Sequence, residues 1–165
     1  MAYMSCFKDY GVDPYCNRPY TFNQNVFNSS ELADLNKYWP QYGSKSDFWA
    51  YEWDKHGTCF LKIFKEDYAS TLSEKQLFKK YFTSTIDKVK ALKLTLQSGT
   101  FKTKGDFAKK LGLGERTFNA ACGRDNELDE IRICYDIYHE AGQEVIINCP
   151  PSTDPGLCKF PMVVK

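Results

Sequence analysis

An α+β fold is predicted from a change of hydrophobic period along the chain. Through the first two thirds, apolar residues recur mostly at helical spacing; from Leu128 onward they alternate with polar ones, as in half-buried strands. A third observation is the cysteine count, seven in 165 residues. That is many for a reduced cytosolic protein of this size and points to a disulfide-bonded fold. The length suits one domain over residues 1–165 with a sizeable core. A net charge of +1 supplies little bulk attraction to nucleic acid or membrane, so any polyanion must be held by a local site. No apolar run approaches the length of a membrane span, and none at the start has the form of a secretory leader.

Residues 1–27 read as irregular to extended, with a turn around Gly11-Val12-Asp13-Pro14. Ser29 or Ser30 is expected to cap a helix reaching about Tyr38. Leu32, Leu35 and Trp39 would lie on one side, and Pro40 would stop it. A second helix is expected from a cap at Ser46 or Asp47 to a stop at Gly57. Ser73-Glu74-Lys75-Gln76 then opens a longer helix. Its core face is Leu77, Phe78, Tyr81, Phe82, Ile86 and Val89, with lysines on the solvated side. Two short helices, Phe101 to Leu111 and Glu115 to Ala121, are expected around the glycines at 112 and 114. Ile131, Ile133, Tyr135 and Ile137 then alternate, Glu140-Ala141-Gly142-Gln143 turns, and Glu144 to Asn148 returns as an antiparallel hairpin. Pro150 to Lys165 reads as a tail without regular structure.

The densest chemistry lies in Phe48-Trp49-Ala50-Tyr51-Glu52-Trp53-Asp54-Lys55-His56-Gly57-Thr58-Cys59. On a helix, Glu52 stands four residues before His56 and three before Lys55, so a carboxylate, an ammonium and an imidazole share one face. Such a group on a rigid element suits acid–base work. Trp49 and Trp53, with Phe48, read as anchors to the core. The chain has two histidines, His56 and His139, and the second reads as an exposed hairpin residue.

This stretch resembles the second active-site segment of the T2 family of ribonucleases, Phe-Trp-x-His-Glu-Trp-x-Lys-His-Gly-Thr-Cys. The match fails at one specified place, where Tyr51 stands for histidine. The likeness extends back through Leu35-Asn36-Lys37-Tyr38-Trp39-Pro40 and forward to Glu130-Ile131-Arg132-Ile133-Cys134. It implies an antiparallel sheet with helices packed against it, and disulfides Cys16–Cys59, Cys134–Cys149 and Cys122–Cys158, with Cys6 left over. The family's first segment carries another histidine. Laid against it, Met1 to Tyr10 keeps Asp9 and Tyr10 and puts Met4 in the histidine's place, and no histidine precedes His56.

The resemblance also implies a chemistry. A ribose 2′-hydroxyl attacks the adjacent phosphorus, leaving a 2′,3′-cyclic phosphate and a free 5′-hydroxyl, without metal or cofactor. By position His56 is the base, Lys55 and Glu52 support the crowded phosphorus, Tyr51 occupies a phosphate-binding place and Phe48 contacts a base. The partner acid has no counterpart. The expectation is therefore a T2-like protein that is catalytically impaired or inactive, with residual RNA binding or a storage or structural role. The alternative is an active endoribonuclease cutting single-stranded RNA. Expected partners are RNA and a protein joined through Cys6 or through an amino-terminal strand that this chain lacks, with no membrane. Asn28-Ser29-Ser30 is a glycosylation acceptor triplet. With the cysteines, it favours a secreted or vacuolar setting.

Overall fold

The structure is a computed structural model that describes residues 20–40, 48–66, 71–93, 96–136, 145–151 and 155–165. The turn at Gly11–Pro14, the caps at Ser46 and Asp47, His139 and the turn at Glu140–Gln143 lie outside the described residues. The chain divides into two compact units, with the boundary between Lys90 and Ala91.

The first unit is helical. Helix α1 spans Ser29–Tyr38, but its cap is Asn28, one residue earlier than expected. Asn28 Oδ1 accepts from the Glu31 N–H at 2.9 Å, while the Asn28 N–H donates to Glu31 Oε2 at 2.8 Å. An amide closes this reciprocal box as well as a hydroxyl does, which is why the serines were displaced into the first turn. Helix α4, Glu74–Leu92, opens on a similar exchange between Ser73 and Gln76. Its expected apolar face is buried from Leu77 to Ile86, while Val89 is half-buried. Two of its lysines do more than face solvent. Lys79 pairs with Glu31 at 2.9 Å and Lys90 with Asp34 at 2.6 Å, fastening α4 to α1. Both pairs are partly exposed, so each stabilises by about 1 kcal/mol at most.

Between these helices runs a nearly continuous aromatic core. Phe78 and Phe82, one turn apart on α4, meet Phe22, Phe27 and Trp53, and Phe82 also meets Trp39, at centroid separations of 4.7–6.3 Å. Most pairs are edge-to-face or tilted, the arrangement that ring quadrupoles favour.

The second unit carries the strands β1 (Gly99–Phe101), β2 (Phe118–Cys122), β3 (Leu128–Ile133), β4 (Tyr135–Asp136), β5 (Val145–Ile146) and β6 (Met162–Val164). Among the described residues they pair antiparallel as β1 with β6, β2 with β3 and β4 with β5, in three two-stranded sheets. Helix α5, Lys104–Leu111, is shorter than expected and ends on Gly112 in the left-handed region, a conformation that a Cβ would disfavour. Two expectations fail here. Glu115 to Ala121 is no helix: Phe118, Ala120 and Ala121 are buried in β2, where pairing with β3 outweighs the alanines' helical preference. The tail is not without regular structure either, because Met162 and Val164 bury their side chains and pair with Phe101 and Gly99.

The expected hairpin survives as β4 and β5, with Tyr135 opposite Ile146, while β3 turns to β2. Cys134–Cys149 closes beside that hairpin, with Cα atoms 5.2 Å apart. Cys122–Cys158 ties β2 to the tail, Cα to Cα 4.8 Å. Cys59 is also disulfide-bonded, whereas Cys6 and Cys16 lie outside the described residues. Among the described residues no helix is long and apolar enough to cross a membrane.

Asn126 holds the turn before β3 against the tail. It sits at φ 55° and donates from Nδ2 to the carbonyls of Lys159 and Pro161, while Oδ1 accepts from the Lys159 N–H at 3.1 Å. Asn126→Ala removes those bonds and places a Cβ residue without a local partner in the left-handed region. The expected loss is about 2 kcal/mol or more in urea unfolding. Asn126→Gly, which keeps the backbone at ease, isolates the share due to hydrogen bonds, and an unchanged midpoint in both variants would refute this role.

Candidate active site

The segment that carries the carboxylate, ammonium and imidazole does not stop at Gly57. Helix α2 (Phe48–Glu52) passes into a π turn over Trp53–Gly57 and then into α3 (Thr58–Glu66). The Thr58 N–H reaches the Trp53 carbonyl, five residues back, which defines the wider turn. The reason lies in Trp53, whose indole lies over the Cα of Gly57. A Cβ there would fall 2.0 Å from Cε3 and 2.6 Å from Cζ3. Glycine is needed for close approach and not as a terminator. No pattern of types or spacing distinguishes these two uses of glycine, so the π turn was not legible in the sequence.

Trp53 is fully buried and Trp49 nearly so, as their reading as anchors requires. Both indole N–H groups are satisfied by carbonyls, Trp49 by Trp39 at 2.8 Å and Trp53 by Tyr20 at 2.6 Å. Thr58 Oγ1 donates to the Asp54 carbonyl at 2.9 Å, taking up an oxygen that the wider turn leaves without its usual partner. The π turn is therefore held on one side by indole packing and on the other by a hydroxyl.

On this frame Glu52 is the last residue of α2 and is 2% exposed, a carboxylate almost wholly withdrawn from water. Lys55 and His56 lie within the π turn and are half-buried. Tyr51 is 49% exposed, and the Lys55 ammonium sits over its ring, 5.4 Å from the centroid. Phe48 is half-buried at the start of α2. Glu52 and His56 are both engaged by neighbours. Burial, and then the adjacent Lys55 charge, lower the His56 pKa from 6.5 to about 4. The imidazole is therefore neutral through mildly acidic and neutral pH.

Other candidate residues belong to other parts of the chain. Asn28 is exposed, and its Oδ1 is occupied by capping and by the Ser30 hydroxyl at 2.7 Å. Cys122, Cys134, Cys149 and Cys158 all belong to the second unit. A groove of about 160 Å³ opens between α1 and α4, lined by Glu31, Asp34, Leu35, Thr83, Ile86 and Asp87. It offers no imidazole or thiol, and two of its three carboxylates are paired with lysines. Among the described residues no three histidine, cysteine or carboxylate side chains gather as a metal cluster.

The model of the ribonuclease T2 family matches residues 7–149. The ribonuclease T2 of Aspergillus oryzae is 39% identical over 62 residues, which are 37% of this chain and 22% of that protein. The ribonuclease T2 of Sus scrofa is 37% identical over 89 residues, 50% of this chain and 40% of its own. With that of Homo sapiens the identity is 36% over 52 residues, 29% and 20% of the two chains. The chain thus spans between 20% and 40% of the length of these curated relatives. No solved structure matches it.

Gly57→Ala forces a methyl into the Trp53 indole and should cost about 1–3 kcal/mol, read from the denaturation midpoint. Wild-type stability would show that the ring moves aside freely and does not fix the turn. His56 gives a second expectation. Its folded value is below the ordinary one, so between pH 6.5 and about 4 the unfolded chain binds a proton that the folded chain refuses. Stability should fall as pH drops through that window. His56→Gln should reduce the difference between midpoints measured at about pH 7 and about pH 4.5. An identical drop in both proteins would place the acid sensitivity elsewhere.

Proposed function

The chain belongs to the ribonuclease T2 family, and from that membership we propose that it binds single-stranded RNA at the Glu52–Lys55–His56 site while its cleavage chemistry is impaired. One observation carries this reading: the described site holds a single imidazole, that of His56. Tyr51, where the family pattern has histidine, is half exposed with the Lys55 ammonium on its ring.

The site is suited to half of a transesterification. His56 can take the proton from a ribose 2′-hydroxyl as the oxygen bonds to phosphorus, because it is uncharged where a base must be. The Lys55 charge can attract the phosphate oxygens. The bond from phosphorus to the 5′-oxygen must then break, and that oxygen needs a proton. A phenol carries no positive charge and is a poor donor to it. Loss of one acid–base group typically reduces rate by roughly 10²–10⁴-fold, so binding can persist when turnover has nearly gone. Such binding would be weak and salt-dependent, as expected where a few local charges act in a chain of net charge +1. The disulfides fit an oxidising, secretory or vacuolar compartment. A glycan on the exposed Asn28 would fit the same route.

The deciding experiment compares cleavage of single-stranded RNA by the wild-type chain and by His56→Ala, at pH 5 and pH 7, with end-group analysis. Rates near background in both, from folded samples that retard RNA at low salt, are expected. Robust wild-type cleavage giving a cyclic phosphate, lost in the variant, would instead establish an active endoribonuclease with an unconventional acid. Folded chain that fails to bind RNA at low salt would sink the binding reading.

A further inference from the structure

A lysine on a helix surface ordinarily moves among many rotamers, and when it is fixed the usual partner is a carboxylate that also cancels its charge. Lys55 is fixed differently. Among the described residues no carboxylate pairs with it, although Asp54 precedes it and Glu52 lies three residues before. Glu52 is withdrawn into the interior, and Asp54 is turned to solvent. The contact that holds the ammonium is the face of Tyr51, one turn earlier on the same helical run. An aromatic ring attracts a cation through its quadrupole and carries no net charge of its own. The ammonium is thereby located without being neutralised.

We propose that Tyr51 is a positioning residue: its ring holds the uncompensated Lys55 ammonium beside His56, where it can meet a phosphate of bound RNA. The anion-binding part rests on the RNA-binding reading above; the positioning part does not. Two further observations support it. Tyr51 is half exposed, and the core aromatics already account for the packing of this helix, so the ring is not needed as an anchor. The Lys55 charge is also one of the two causes that lower the His56 pKa, which requires the ammonium to stay close to the imidazole. The phenolic hydroxyl has no part in this role, so phenylalanine should serve as well as tyrosine.

The test uses Tyr51→Leu, Tyr51→Phe and Lys55→Met in the full chain, each checked for a wild-type melting transition. The first readout is the NMR titration of the His56 ring. Lys55→Met should raise its midpoint toward the ordinary histidine value, Tyr51→Leu should raise it part of the way, and Tyr51→Phe should leave it in place. The second readout is fluorescence anisotropy with a 2′-O-methyl single-stranded oligonucleotide, which cannot be cleaved. Tyr51→Leu should weaken binding by about threefold to tenfold, most of the loss seen in Lys55→Met, with little added in the double variant. A His56 titration indifferent to Tyr51→Leu, or to Lys55→Met, overturns the proposal. So does a Tyr51→Phe that behaves like Tyr51→Leu. If the wild-type chain binds no oligonucleotide while the titrations shift as expected, the positioning role stands and the RNA-binding reading falls.

Discussion

The contact between the Trp53 indole and the bare Cα of Gly57 is the constraint on which the first unit depends. The ring could occupy that place only if the residue four positions later carried no side chain. The backbone, widened into a π turn, then continues as helix. Because the same indole meets Phe78, Tyr81 and Phe82, the turn is coupled directly to the aromatic core. Shape in the interior thus sets the spacing of the polar groups on the outside. Lys55 and His56 ride on the turn, and Glu52 sits at its entrance.

Burial then distributes the chemistry. The carboxylate is taken almost entirely out of water, the imidazole half so, and the phenol is left outside. Withdrawal of the imidazole, with a cation next to it, favours its uncharged form. The imidazole stays uncharged in mildly acid surroundings, where an ordinary histidine would be largely protonated. Among the described residues the site has no other imidazole.

The parts of this molecule legible in its sequence were those in which one local pattern met no competitor. The helical spacing of Leu77, Phe78, Tyr81 and Phe82 marked α4, and Pro40 and the capping residues bracketed α1 within a residue or so. The twelve-residue motif pointed to the family and to the helix bearing the site. What escaped were features set by distant partners. Phe118 to Cys122 carries two alanines and looks helical by itself, yet it is a strand because Leu128 to Ile133 lies alongside. Met162 to Val164 follows prolines and looks loose until Gly99 to Phe101 is placed opposite. The π turn escaped for a different reason: four-residue spacing between tryptophan and glycine is common, and only packing shows that the ring uses the gap.

The pairing of β1 with β6 also constrains the order in which the second unit is assembled during synthesis. Gly99 meets Val164 and Phe101 meets Met162, so strand partners at the two ends of the unit must find one another across everything between. Helix α5 and the β2–β3 pair can form from local chain, but they share a core with Met162 and Val164. A ribosome that has released residues through β5 has therefore delivered a unit whose interior is still open on one side. Closure waits for a segment of a few residues beyond β5, which brings with it the backbone groups that Asn126 fastens.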